Sequence, residues 1–190
     1  MKTLRIIILS LAFYGFINPA QAGDFEVALS SKTAQFTFRS DSSLIGWGGA
    51  ELGFSLFYNE DDDVLGQVSL MQVRPASAEN PLTLGVGVRG YVGDLDIINQ
   101  KVLALAIGGE IRYTFPGAMP MSIYLTGHIA PKITSFSDTE EVRDYVLGFQ
   151  IEILPQTTAF VGFRRIEIDT ERVNNYEVDD RFHVGVRLTF

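Results

Sequence analysis

Phe182-His183-Val184-Gly185-Val186-Arg187-Leu188-Thr189-Phe190 ends the sequence, and its alternation is unbroken. Phe182, Val184, Val186, Leu188 and Phe190 are apolar; His183, Gly185, Arg187 and Thr189 between them are polar or small. Successive side chains of a β-strand point to opposite faces, so this stretch reads as a strand with one apolar and one polar face. Terminal residues normally fray. An aromatic held at the end of a strand is expected where that strand pairs with the first one and closes a barrel without an edge. A terminal aromatic strand of this kind is also what the outer-membrane barrel assembly machinery recognises.

The same period of two recurs upstream. Leu84, Val86, Val88 and Val92 alternate with Gly85, Gly87, Arg89 and Tyr91; Leu103, Leu105, Ile107, Ile111, Tyr113 and Phe115 alternate with Ala104, Ala106, Gly108, Glu110, Arg112 and Thr114. Runs of this length exceed the usual five or six residues of a soluble strand and suit a tilted strand crossing a bilayer. The pattern predicts eight strands over 46–58, 64–74, 81–92, 102–115, 120–131, 143–154, 157–168 and 177–190. A further stretch, 24–39, slips phase at Ser31-Lys32 and reads as a hairpin. If that hairpin joins the wall the barrel has ten strands, otherwise eight. Ten is the expectation, because apolar strands left unpaired are a liability.

Composition narrows the class. The chain has 190 residues, a net charge of −8, 46% hydrophobic and 20% charged residues, and no cysteine. Such a chain buries enough apolar surface to fold. It offers no thiolate chemistry or disulfide framework, and its acidity argues against a nucleic-acid partner. Lys2 and Arg5 precede an apolar stretch, Ile6 to Ile17, then Pro19 and the small-x-small sequence Ala20-Gln21-Ala22. This predicts a signal peptide over 1–22, cleaved after Ala22, and a single barrel domain over 23–190 exported to the bacterial outer membrane. About 12 apolar residues are too few for a spanning helix.

The connections between expected strands alternate in character. Those near Pro116–Pro120 and Pro155 are tight, whereas Pro131–Arg143 and Thr170–Val178 are long and polar, and Asn59–Asp63 is acidic. Barrels of this class have short periplasmic turns and long outer loops. The acidic segments Asp61–Asp63, Asp138–Glu141, Asp169–Glu171 and Glu177–Asp180 are then expected outside, facing lipopolysaccharide phosphates through divalent cations. Outer-membrane lipid and lipopolysaccharide are the expected partners.

Motifs with chemical content mostly reduce to barrel structure. Gly85-Val86-Gly87-Val88-Arg89-Gly90 matches a dinucleotide fingerprint, but no helix follows to receive a phosphate. The run Glu60–Asp63 lacks the spaced ligands and glycine of a calcium loop. His128 and His183 fall on the polar face, with Ser135, Ser137, Asp138 and Glu152 as conceivable partners, yet no spacing ties them into a triad. The expectation is no enzyme, no cofactor and no metal site. The charges Glu51, Arg89, Glu110, Arg112, Glu152, Arg181 and Arg187 share the inward phase and are expected to neutralise one another and fill the lumen. The chain is too short for the sixteen strands of a wide channel. A narrow pore is the alternative.

Several segments resemble the YfaZ family of bacterial outer-membrane proteins: Ala130-Pro131 after a strand, Tyr145, Gly162-Phe163-Arg164-Arg165-Ile166 before an acidic loop and the terminal aromatic strand, and the stretches Pro81 to Gly87 and Ala104 to Gly109. Members commonly show Gly-Tyr-Arg where this chain has Gly-Phe-Arg at 162–164. The resemblance implies an outer-membrane barrel without an established activity, and it carries over no catalytic residue.

Overall fold

The structure, a computed structural model, describes residues 23–42, 49–77, 80–117 and 119–190. Ala20 and Ala22, where signal cleavage is expected, lie outside them. Among the described residues there are eleven strands: β1 Gly23–Ser30, β2 Thr33–Asp41, β3 Glu51–Asn59, β4 Val64–Arg74, β5 Leu82–Leu95, β6 Gln100–Phe115, β7 Met121–Ala130, β8 Ser135–Ser137, β9 Thr139–Leu154, β10 Thr157–Thr170 and β11 Tyr176–Thr189. Every strand but β8 joins one antiparallel ring in the order β1-β2-β3-β4-β5-β6-β7-β9-β10-β11, and β11 returns to β1. The barrel is therefore ten-stranded, with 24–39 contributing its first two strands.

Closure is made by the segments the sequence marks for it. Phe25 faces Leu188, Val27 faces Val186 and Leu29 faces Val184 across the β1–β11 seam. Gly23 and Phe190 exchange both backbone hydrogen bonds at 2.9 Å. Each pair in the seam satisfies backbone groups that an open edge would leave bare.

The acidic connection after β7 is shorter than its sequence suggests. Lys132–Thr134 forms a 3-10 turn, β8 pairs with Val102–Ala104 of β6, and β9 starts at Thr139 rather than at 143. Charge in Glu140, Glu141 and Arg143 hides this part of β9 from a hydrophobicity reading, because its outward face has already left the apolar belt. Arg143 instead donates to Asp169 (2.6 Å) and forms an ion pair with Glu141 (3.0 Å), and Arg165 pairs with Glu167.

The apolar belt runs around the outside. Val86 is 68% exposed and Phe182 73%. Outward apolar residues extend from Phe182 to Phe190 on β11 and from Leu103 to Phe115 on β6. At ~3.3 Å per residue and a tilt of ~40° these spans cover roughly 20–30 Å of height, which matches the ~25 Å lipid-facing band of outer-membrane barrels. Aromatic pairs stand at its margins: Phe163 with Phe182 (5.2 Å), Tyr113 with Phe115 (5.2 Å) and Phe38 with Phe190 (6.4 Å).

Inside, bulky residues lie opposite glycines. His128 faces Gly108, Tyr124 faces Gly148, and Phe160 and His183 face Gly185 and Gly162 on the neighbouring strand. A Cβ built on Gly108 would fall 2.7 Å from His128, and one on Gly162 would fall 2.9 Å from the His183 ring. The alternating glycines are thus the space into which the lumen's large side chains fold, which is how a small barrel fills its interior.

Candidate functional site

The lumen has two layers, fixed by which strands reach each level. At the end carrying Gly23 and Phe190 all ten strands are present. Toward the opposite end β1 and β2 stop at their Ser31-Lys32 turn, and the last β1–β11 pair is Ser30 with His183. Above it β11 continues to Tyr176 without a β1 partner. The β3–β4 turn reaches across instead: Asn59 Nδ2 donates to the Val178 carbonyl (3.2 Å) and the Tyr176 hydroxyl donates to Asp63 Oδ2 (2.9 Å).

At this far end the interior is apolar. Phe57, Leu65, Tyr91, Leu95, Val102, Ala104, Ala106, Ala130, Val142, Ile166, Ile168 and Val178 form one cluster, each essentially without solvent exposure. They come from eight different strands, so the cluster spans the lumen from wall to wall. Arg164 caps it from below, its guanidinium 4.9 Å from the Phe57 ring centre.

Beneath lies a charged layer. Glu26 Oε2 accepts from Arg39 Nη1 (3.1 Å) and from Arg187 Nε (3.0 Å) and Nη2 (2.8 Å). Arg39 Nε also lies 3.6 Å from Glu51, and Arg112 Nη2 lies 2.6 Å from Glu110. Asp144 Oδ2 accepts from Arg89 (2.8 Å) and from the Tyr91 hydroxyl (2.8 Å). Arg164 donates to Asp179 (2.6 Å), to Thr33 (3.1 Å) and to Gln35. Five arginines meet five carboxylates, so the layer is neutral as a whole, and its desolvation is offset by short charge-assisted bonds.

A cavity of about 90 Å³ sits in this layer. A larger space of about 370 Å³ opens at the Gly23 and Phe190 end, lined by Asp24, Asp41, Val73, Pro75 and Thr189 among others. Arg39 and Glu51 line both.

Of the charges expected inside, Glu51, Arg89, Glu110, Arg112 and Arg187 line the cavity. Glu152 is half-buried on β9 opposite Thr158, and Arg181 stands opposite Arg164 near Asp179; neither has an ion pair among the described residues. Glu26, Arg39, Asp144 and Arg164 carry much of the network and were not among the expected set. Each follows the same alternation, between Phe25 and Val27, after Phe38, before Tyr145 and after Phe163, so phase alone places them inside.

The conceivable triad partners do not converge among the described residues. His128 is buried with neither ring nitrogen bonded, and Ser135 Oγ donates to the carbonyls of Ala130 (3.4 Å) and Pro131 (3.1 Å). Ser137 lies with it on β8, while Asp138 accepts from the Lys101 amide (2.9 Å). The acidic β3–β4 turn is organised by its own bonds: Asn59 Nδ2 donates to Asp63 (3.0 Å), and Asp63 Oδ1 accepts from the Asp96 amide (2.9 Å). Burial pushes the Asp63 carboxyl above its ordinary range. Gly85 to Gly90 lie within β5, with no helix after them. Phe182, Val184, Val186, Leu188 and Phe190 all point outward.

No family model matches the chain, and no curated protein matches it. Among solved structures it is similar to the outer membrane channel DcaP of Acinetobacter baumannii, at 10% identity and a TM-score of 0.39, over 87% of this chain and 54% of that one. It is also similar to the NanC porin, at 13% identity and a TM-score of 0.35, over 90% of this chain and 98% of that one. The chain spans about half the length of the DcaP channel.

Proposed function

We propose that this protein is a small integral outer-membrane barrel of the YfaZ kind, with a structural or surface-exposed role and a lumen closed by its own side chains. The observation that carries this reading is the apolar cluster from Phe57 to Val178, which is without solvent exposure across the whole bore. Water and ions do not cross such a layer without unpacking it. The end with Gly23 and Phe190 faces the periplasm. The acidic tips then face outward, where divalent cations join them to lipopolysaccharide phosphates, and the β11 strand is the element offered to the barrel assembly machinery. His128, His183 and their neighbours have no catalytic part in this reading.

Planar-bilayer recording tests the closure. The expected result is no steady conductance from the purified barrel; regular single-channel steps would overturn it. The second reading, a narrow pore, is favoured by the 370 Å³ vestibule and by the charged cavity below the cluster. Chelation with loss of membrane retention is the expected sign of cation bridging, and unchanged retention would remove that part.

A further inference from the structure

The geometry points to a small-oxyanion site in the mid-lumen cavity, entered from the vestibule and sized for a free carboxylate or phosphate ion. It rests on the far end of the lumen being closed, since only then is the cavity a blind pocket.

Five arginines line the cavity, Arg39, Arg89, Arg112, Arg164 and Arg187, against three acidic residues, Glu26, Glu51 and Glu110. The two remaining counter-ions stand behind their arginines: Asp144 and Asp179 are 3% and 2% exposed and neither lines the cavity. The cavity wall is therefore richer in cations than the layer as a whole. Each guanidinium has five N–H donors in a fixed fork, and the carboxylates take only part of them. The low-dielectric barrel wall keeps that field from being screened.

His183 supplies the independent observation. It is 4% exposed, lines the cavity, and its Nδ1 is buried without a hydrogen-bond partner among the described residues. Buried polar groups are rarely left so. Its ring stands edge-on to Phe160 at 5.9 Å and over Gly162, which hold it against the wall. A neutral imidazole there donates one N–H to a bound oxyanion while the arginines supply the charge. At ~30 Å³ per water, the 90 Å³ cavity holds about three waters, or one small oxyanion in their place. The Arg39–Glu51 pair, common to both spaces, stands where an incoming ion passes.

The chain has two histidines, so ring-¹⁵N-labelled histidine spectra of the nanodisc-embedded barrel give one Nδ1/Nε2 pair of signals for each. Titration with inorganic phosphate or acetate, at constant ionic strength set by chloride, is expected to move the His183 signal saturably and leave His128 in place. The neutral double variant Arg112→Met/Glu110→Met is expected to weaken the half-saturation concentration at least tenfold. The milder Arg39→Lys variant, expected to weaken it by a smaller factor, serves if the double variant does not fold. No movement of His183, equal movement of both histidines, or binding unchanged in the folded variants would overturn the site. Conductance is recorded on the same samples: a conducting barrel that binds phosphate refutes the closure and not the site, and a silent barrel that binds nothing refutes the site alone.

Discussion

Arg187 and Glu26 are 161 positions apart in the chain and 2.8 Å apart in the lumen, on the two strands that close the ring. Arg39, on β2, takes the same carboxylate oxygen at 3.1 Å. One glutamate thus bridges two arginines across three adjacent strands, directly inside the seam where β1 meets β11, and Glu51 supplies the second negative charge beside Arg39. All three side chains are largely shielded from solvent, Glu26 at 13% and Arg187 at 11%.

Removing that carboxylate leaves two cations facing each other in the barrel wall. Glu26→Gln is expected to cost about 3–5 kcal/mol, the range for breaking a buried pair from one side. Adding Arg187→Met should return part of the loss, because the uncompensated charge goes with it. Urea unfolding of the refolded barrel, followed by gel mobility with and without heating, gives both numbers. A double variant no better than the single one would show that the seam depends on Arg187 for more than charge balance.

Much of this was readable in the residues. Alternation alone assigned the faces of β5, β6 and β11, and the Phe182–Phe190 pattern named the strand that closes the ring. Strand count was open, because Ser31-Lys32 marks a turn without saying whether the hairpin before and after it joins a wall; the Phe25–Leu188 and Phe25–Phe38 pairings decide that, and they are long-range. The start of β9 was hidden by Glu140, Glu141 and Arg143, whose outward charges belong beyond the belt. The layering of the lumen was not readable at all. It depends on β1 and β2 stopping early, which sets Phe57, Ile166 and Val178 together from strands far apart in sequence.

The glycine positions make a steric prediction. Gly148 lies directly opposite Tyr124, and a Cβ there would fall 2.8 Å from the tyrosine Cε1. Gly148→Ala is expected to destabilise the barrel by about 1–3 kcal/mol through overpacking. Tyr124→Leu, which shortens the side chain, should relieve most of it in the double variant. Thermal unfolding of the four proteins forms a complete cycle, and additive losses would mean that the ring has no part in the clash.

The belt predicts a depth dependence. Val86 is 68% exposed near the middle of the apolar band, opposite Gly109. Val86→Arg should cost about 2–4 kcal/mol in a bilayer, while an arginine at the rim position Phe182 should cost ~1 kcal/mol or less. Folding equilibria in phospholipid vesicles measure both. Equal costs at the two depths would place the band somewhere other than the hydrocarbon core.

The bridge over the β1–β2 turn predicts a local loss. Asn59, 1% exposed, donates to the Val178 carbonyl and to Asp63, and its Oδ1 accepts from the Asp61 and Asp63 amides at 3.0 Å. Asn59→Ala removes these bonds together and leaves buried amides and a carbonyl without partners, at a cost of about 1–3 kcal/mol each where water cannot reach them. The loss should be confined to the far end, since β1 pairs with β11 only over residues 183–189, short of Val178. Hydrogen exchange is therefore expected to quicken over Asp61–Asp63 and Tyr176–Asp180 while amides near Val27 and Val186 keep their protection. Exchange that rose equally along the whole of β11 would mean that the turn and the seam unfold as one unit, and that Asn59 supports the ring rather than the gap above it.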